Sequence, residues 1–469
     1  MLFKHSVLYL LARGLPGIIN FLAIAIYTRI LSPEEYGRYA LVVSGVGFFN
    51  VVFFQWLRLA LLRFLPAYFE NPKPLFSTVL AGFATLVLLT GTIGILLAVL
   101  WPDSDWQGLI SFAIPLLWVQ AWFELNLELN RSRLQPVSYG MISGLKAILS
   151  LGLGVLIVLW GFGVYGPLMG LLTGMLVAGL WGGWTDWKKG FSNFSSRLLK
   201  ELLCYGLPLT ATFALAFIVS ASDRFLIAYF LGESKTGPYA AGYEFAWSSI
   251  VLFMFIINLG AYPLTMRAFE KNGEHAAQRQ LKQNSLLQMI VACPATVGMI
   301  IIASQLGELI FGENYRDEST SLIPWIAVAA FLHGIRSYHF DLAFHLGKYT
   351  VGQIWVMGGA AIINIILNWF WIPKYGILGA ARATLVAYTV ALLLSVGIGH
   401  RVFIVPVDWW GTVRVFFASL VMAGVLFFWP KKEGFIGLME MVFIGIVVYG
   451  LLIFLLFWRN LHKFTKREL

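Results

Sequence analysis

Fourteen apolar stretches of bilayer-spanning length, joined by short polar turns, leave this chain one broad way to fold. They run 5–30, 37–66, 75–101, 107–130, 137–160, 164–185, 199–231, 238–266, 284–305, 321–346, 349–372, 377–400, 410–429 and 435–458. About 20 apolar residues cross a hydrocarbon core, and a helix pairs all its own backbone groups while doing so. No connection exceeds about 20 residues, too short for a soluble domain. Composition agrees: 59% of residues are hydrophobic and 12% charged, against about 45–50% and about 25% in soluble domains. The expected fold class is an all-α polytopic membrane protein of about 14 transmembrane helices. Lys4 precedes the first stretch, but Arg13 interrupts it and no A-x-A cleavage pattern follows. It therefore reads as a first membrane helix and not as a removed signal peptide.

The basic residues set an expected orientation. With the N-terminus inside, the inner loops hold Arg63, Lys73, Arg131, Arg133, Lys188, Lys189, Arg267, Lys271, Arg401 and the tail Arg459, Lys463, Lys466 and Arg467. The outer loops are neutral or acidic, with Asp103, Asp105, Glu308, Glu313, Asp317 and Glu318. That bias predicts two cytoplasmic termini and an even number of spans. The net charge of +10 is accounted for by these topology signals and headgroup contacts, so no nucleic-acid partner is expected. Cys204 and Cys293 both lie in apolar segments and offer neither a disulfide framework nor a metal-ligand spacing.

An internal repeat organises the spans. Residues 31–41 read L-S-P-E-E-Y-G-R-Y-A-L, and residues 231–241 read L-G-E-S-K-T-G-P-Y-A-A, so Leu, Gly, Tyr and Ala return in register. Each copy follows a long apolar stretch containing a proline, Pro16 or Pro208. Val164-Tyr165-Gly166-Pro167-Leu168 also recurs, as Lys374-Tyr375-Gly376-Ile377-Leu378. Six spans per copy make the repeat parallel, a common transporter plan. The expected lobes are 1–190 and 191–402, linked through the polar stretch Asp186–Glu201, and 403–469 carries spans 13 and 14 with the basic tail. The two six-helix bundles are expected to face each other across a pseudo-twofold axis along the membrane normal. Both Leu–Gly–Tyr–Ala copies then fall at the outer ends of spans 1/2 and 7/8. They read as tight corners, not as substrate contacts.

The motifs carry a family resemblance. T-R-I-L-S-P-E-E-Y-G-R-Y-A-L, residues 28–41, resembles the polysaccharide transporter, or Wzx-type oligosaccharide flippase, family. Asp223-Arg224 followed by Gly232, Gly237 and Tyr239 resembles that family's D-[RK]…G…G-x-Y. N-I-I-L-N-W-F-W-I-P-K-Y-G-I-L-G-A-A-R-A-T, residues 364–384, fits as well. The family lies in the MOP superfamily with MATE multidrug exporters and lipid II flippases. The resemblance implies a flippase that moves an undecaprenyl-pyrophosphate-linked oligosaccharide, an O-antigen or exopolysaccharide repeat unit, across a bacterial or archaeal cytoplasmic membrane. It also implies that spans 13 and 14 offer a groove for the lipid tail, and that glycan polymerase machinery is a possible partner.

Charged residues inside the stretches are the candidate site, because a charge at mid-membrane costs about 2.5–3.5 kcal/mol on insertion scales. Arg13 on span 1 and Arg58 on span 2 lie about eight residues from the inner end, roughly 12 Å deep. Guanidinium binds phosphate bidentately, so the pair suits a pyrophosphate, while snorkelling to the inner headgroups is the plain alternative. Lys146 on span 5 and Arg224 on span 7 are further cavity candidates. Asp223 and Glu244 suit an internal ion pair or an outer gate. Glu124, Glu128 and Arg131 share one face of span 4, where a solvated rim competes with a headgroup or cation contact. His333, Ser337, Asp341 and His345 recur at i+4 steps on span 10 with Arg336 beside them, a polar stripe open to hydrogen bonding or to Na+ or H+ coupling. Arg382 reads as a snorkelling anchor. Tryptophans near helix ends, among them Trp101, Trp106, Trp184 and Trp187, read as an interfacial belt.

No nucleophile, metal-ligand set or long loop supports an enzyme, which weighs against a membrane-embedded polymerase or glycosyltransferase. No cofactor is expected. A MATE-like exporter and a lipid II flippase remain alternatives within transport. The basic cavity candidates speak against the first, and the second shares the same lipid carrier.

Overall fold

The computed structural model describes the backbone of residues 2–68, 70–133, 135–182, 187 and 193–465, with side chains from residue 14 to 458 in those ranges, Leu15 excepted. Among the described residues the regular structure is helical throughout, and the fourteen expected spans are fourteen helices. They are α1 (Leu2–Ile30), α2 (Pro33–Tyr68), α3 (Lys73–Leu100), α4 (Ser104–Ser132), α5 (Pro136–Phe162), α6 (Tyr165–Trp181) and α7 (Ser196–Leu231). They continue as α8 (Glu233–Asn272), α9 (Glu274–Ile301), α10 (Glu313–Leu346), α11 (Gly352–Tyr375), α12 (Ile377–His400), α13 (Trp409–Phe428) and α14 (Gly434–Thr465). A short helix, Ala303–Ile310, joins α9 to α10. Among the described residues, twelve helices are long and apolar enough to cross a bilayer, and two shorter apolar ones, Pro16–Ile30 and Tyr165–Trp181, lie in α1 and α6.

α8 and α9 run past the apolar stretches 238–266 and 284–305. Their extra turns carry Arg267, Glu270, Lys271, Glu274 and Arg279, charged residues with good helix propensity. Only Gly273, at φ +75°, separates the two helices. Elsewhere regularity gives way inside the helices. Wider π-turns occupy Asn50–Phe54 of α2, Val158–Phe162 of α5 and Arg336–Phe340 of α10. Such turns insert a residue into the helical ladder and often mark functional positions.

The chain divides into two compact units, Met1–Gly237 and Pro238–Leu469. This packing boundary places α7 with the first six helices, whereas the sequence repeat starts a new copy there. In the first unit Leu57, Leu61, Phe76, Val79, Leu116 and Leu125 form the core. Trp187, expected in the interfacial belt, belongs to that core. It is 2% exposed, its ring lies 5.0 Å from Phe76 and 5.5 Å from Trp122, and its Nε1 donates to Asn126 Oδ1 at 2.9 Å. An indole needs a partner when buried, and Asn126 is within reach. Trp184 lies outside the described residues.

In the second unit Ile250, Met254, Ala327 and Ala330 form one core, and Ile302, Met422, Leu426 and Met441 form another that binds α13 and α14. Tyr449 Oη of α14 donates to the Ile290 carbonyl of α9 at 2.8 Å. Arg382 differs from a lipid-facing anchor. Its guanidinium lies 4.9 Å from the Trp325 ring and 5.6 Å from Tyr375, a cation–π seat between helices.

The second repeat is real but shifted by three residues. Gly163, at φ +48°, turns the chain into α6, and Gly376, at φ +61°, turns it into α12. Gly166 N–H donates to Gly163 O at 3.0 Å, and Gly379 N–H donates to Gly376 O at 2.9 Å. The equivalent pair is therefore Gly163-x-x-Gly166 with Gly376-x-x-Gly379, not Gly166 with Gly376. The shared tyrosine before a glycine misleads, because the left-handed corner needs the earlier glycine.

Candidate functional site

Within the first unit, α2 and α4 run in the same direction and carry three features in the same order: an ionic latch, an apolar cavity and a polar cluster. On α2 these fall near residues 34–38, 41–53 and 50–58, a separation from latch to cluster of roughly 30 Å.

The latch grows from the first Leu–Gly–Tyr–Ala motif. Ser32 caps α2: its Oγ accepts from Glu35 N–H at 3.2 Å, and Glu35 Oε2 accepts from Ser32 N–H at 2.8 Å. Pro33 follows at the first helical position, so S-P-E-E is a complete capping box. Arg38, one turn on, faces three carboxylates. It bonds Glu34 at 3.0 Å, Asp105 at 3.3 Å and Glu233 more closely still. Trp106 Nε1 donates to the other Glu233 oxygen at 2.6 Å.

Beneath the salt bridges the two motif copies touch. A methyl group on Gly37 would collide with the Glu233 carbonyl, and one on Gly237 would collide with the Pro33 carbonyl. Glycine is required at both positions by this backbone approach. The expected corners are thus in contact with one another, which spacing alone did not reveal. Trp106, expected in the belt, is a latch ligand.

The cavity encloses about 570 Å³ between α2, α3, α4 and α7. Phe49, Phe53, Leu97, Ile114, Phe225 and Tyr229 give it apolar and aromatic walls, and Trp106 and Glu233 close it at the latch end. Phe49, Leu97, Phe225 and Tyr229 are also 37–74% exposed, so the cavity is open to the surface.

The polar cluster surrounds Arg58. Its guanidinium pairs with Glu124 and also donates to Gln55 Oε1. Glu124 accepts from Asn50 Nδ2 at 2.8 Å and from Gln120 Nε2 at 3.0 Å. Side-chain exposure is 16% for Arg58 and 24% for Glu124, so the pair is half-buried. Glu128, one turn further, meets Arg131 at 3.5 Å. A solvated rim therefore describes Arg131, 54% exposed, and not Glu124. The π-turn Asn50–Phe54 brings Asn50 and Arg58 to the same carboxylate although they are eight residues apart on α2.

Other expected site residues fall elsewhere. Arg13 is in α1, and its side chain lies outside the described residues. Lys146 is half-buried on α5 with no carboxylate partner among the described residues. Arg224 donates from Nη1 to Ser44 Oγ of α2 at 2.8 Å. Asp223 is fully buried, and Glu244 accepts from Ser248 Oγ at 2.8 Å.

The polar stripe of α10 is not continuous, because the π-turn Arg336–Phe340 breaks its i+4 register. His333 sits among rings, 4.8 Å from Trp247 and 5.2 Å from Tyr388. Asp341 is 6% exposed, accepts from Ser395 Oγ at 2.6 Å and faces Arg336 Nε at 3.8 Å. His345 is exposed beside Gln353. Among the described residues no group of three His, Cys, Asp or Glu has the geometry of a metal site.

A family model described as polysaccharide biosynthesis protein matches residues 26–320, well over half of the sequence. The chain belongs to the polysaccharide biosynthesis protein family. A Shigella flexneri protein named as a candidate O-antigen transporter is 22% identical over 406 residues, covering 81% of this chain and 93% of its own length. The Haloferax volcanii protein named as probable low-salt glycan biosynthesis flippase Agl15 is 23% identical over 469 residues, covering 95% and 94%. Among solved structures, the lipid II flippase MurJ in an inward closed conformation superposes with a TM-score of 0.79 over 97% of this chain and 99% of that one, at 17% identity. An inward-facing MATE transporter of the MOP superfamily gives 0.58 over 87% and 98%, at 15% identity. This member of the polysaccharide biosynthesis protein family is a multi-pass integral membrane protein with the MurJ- and MATE-like fold.

Proposed function

We propose that the chain is a flippase for a lipid-linked glycan whose carrier is undecaprenyl pyrophosphate. It moves the headgroup from the cytoplasmic to the outer leaflet by opening to one membrane face at a time. Both termini are cytoplasmic in this reading, and the latch end of the first unit is the outer end. A polar sugar-pyrophosphate headgroup cannot cross hydrocarbon unaided, since each unpaired polar group costs several kcal/mol there. The carrying observation is Arg58, a guanidinium held half-buried inside a membrane-spanning helix among amide side chains.

Arg58 grips the pyrophosphate, with Arg13, Lys146 and Arg224 as further basic contacts along its path. Arg38 and Glu233 keep the outer end shut during loading, and Asp223 and Glu244 act with them in gating. His333 and Asp341 are the candidates for Na+ or H+ coupling. The repeat lobes 1–190 and 191–402 are the moving parts, and α13 and α14 seat the polyprenyl tail. Lipid II as cargo would use the same carrier handle.

The test is mass spectrometry of lipid-linked glycans in a deletion strain. Build-up of one undecaprenyl-pyrophosphate oligosaccharide, cleared by the wild-type chain and not by equally expressed Arg58→Ala, is expected. A MATE-like exporter is the second reading, favoured by the aromatic cavity whose one carboxylate is Glu233, a chemistry that suits a lipophilic cation. Normal glycans with altered drug tolerance in the deletion strain would decide for it.

A further inference from the structure

Arg58 has a carboxylate in the place a phosphate would take. Glu124 Oε2 is shared by the Arg58 guanidinium and Asn50 Nδ2, and its Oε1 by Gln120. Two further buried polar atoms at this point, Arg58 Nε and Asn50 Oδ1, have no hydrogen-bond partner among the described residues. Asn50 itself is only 2% exposed. One is a donor and the other an acceptor. A phosphate oxygen satisfies the first, and a P–OH or sugar hydroxyl satisfies the second. A planar guanidinium also binds carboxylate and phosphate with the same fork geometry, so one anion can replace the other.

We infer that Glu124 is an internal stand-in for the substrate phosphate: the incoming phosphate takes Arg58 from Glu124, and Glu124 takes it back to expel the headgroup. The inference rests on Arg58 as the phosphate contact and adds the group that sets how tightly and how long it holds. With no competing anion, a half-buried arginine would bind phosphate tightly and release it slowly. With Glu124 facing it, binding is an exchange of one ion pair for another, and neither state leaves the guanidinium unpaired. Asn50 and Gln120 keep donors on Glu124 while Arg58 is away. The π-turn supplies the geometry by placing Asn50 on the same carboxylate as Arg58.

The experiment uses the full chain in nanodiscs and three probes: farnesyl pyrophosphate, inorganic pyrophosphate and phosphatidylglycerol. Wild type, Glu124→Gln, Glu124→Asp and Arg58→Gln are compared by isothermal titration, with thermal melting as the folding check. Glu124→Gln is expected to bind farnesyl pyrophosphate at least tenfold more tightly while glycan export falls. Glu124→Asp, too short to hold Arg58 fully, should show the same trend more weakly. Arg58→Gln should lose binding. Unchanged or weaker binding by folded Glu124→Gln and Glu124→Asp, with Arg58→Gln still losing it, overturns the stand-in role alone. Unchanged binding in all variants overturns the Arg58 site as well.

Should Glu124→Gln fail to fold, wild type answers by infrared difference spectroscopy. Guanidinium and carboxylate bands should shift together on adding farnesyl pyrophosphate, and a silent carboxylate band sinks the inference. Equal affinity for inorganic pyrophosphate marks a phosphate site indifferent to the lipid. Preference for phosphatidylglycerol marks a bilayer-lipid site and refutes the assignment to the transported headgroup.

Discussion

Single residues at the latch bear on stability in ways that differ sharply between neighbours. Adding one methyl group at Gly37 drives it into the Glu233 backbone, which cannot rotate away. Gly37→Ala should therefore cost about 1–3 kcal/mol, the usual range for overpacking. Gly152, on α5, has nothing within 4 Å of where a methyl group would sit. Gly152→Ala should be neutral or stabilising by up to about 1 kcal/mol through helix propensity. Melting curves of the detergent-solubilised proteins would check both, and equal melting temperatures would refute the close approach. Arg38 meets Glu34, Asp105 and Glu233 together. Arg38→Gln should destabilise more than Arg38→Gln/Glu233→Gln, because the double variant removes an unbalanced charge. With Arg38 side-chain exposure at 24%, solvent screening holds the coupling to about 1 kcal/mol, readable in a double-mutant cycle. The pairing of Arg58 with Glu124 was not legible beforehand. The two are 66 positions apart on helices whose relative rotation no local pattern fixes, and each alone reads equally well as snorkelling or solvated.

At the scale of helices, apolar length alone told most of the story, since a bilayer sets one length for every span. What it missed were departures from the regular helix. The capping box is written in the sequence itself as S-P-E-E, with Ser32 as cap and Glu35 three residues on. Ser32→Ala should cost about 0.5–2 kcal/mol, with Ser32→Asp restoring it, by the same melting assay. The π-turn in α2 was not legible, because N-V-V-F-F holds no proline or glycine and suits an α-helix as well. Deleting Val52 should convert that turn to regular helix and leave the phase of everything beyond it unchanged, because a wide turn absorbs one inserted residue; Arg58 then follows Asn50 by about two turns on the same face. The expected outcome is a chain that melts cooperatively, keeps Arg58 on Glu124 and still supports glycan export. Loss of export by the deletion variant would show that the wide turn itself has a part in the site. The same insertion in α10 explains why an i+4 stripe drawn from His333 to His345 does not survive folding.

For the whole molecule, the charge bias commits to a topology that labelling can test. In a chain freed of Cys204 and Cys293, Asp103→Cys in the α3–α4 turn should react with a membrane-impermeant thiol reagent added to intact cells. Asn272→Cys at the end of α8 should react only after permeabilisation. The reverse pattern would invert the molecule and place the latch at the loading side. The loops that decide this were readable from lysine and arginine counts alone. The packing units were not. α7 opens the second sequence copy yet packs with α2 and α3, and only the folded chain discloses that allegiance.

The glycine contact has a consequence for descent. Gly37 meets residue 233 and Gly237 meets residue 33; in the numbering of the repeat, these are one contact written twice. Reciprocal contact of that kind is the mark of an isologous interface, in which position i of one copy touches position j of the other and j touches i. A half-length ancestor carrying this glycine one turn into its second helix would have met its own twin through the same surface. In a fused chain that dimer contact would become internal, and the two copies would be free to differ, as Pro33 and Glu233, or Arg38 and Pro238, do here.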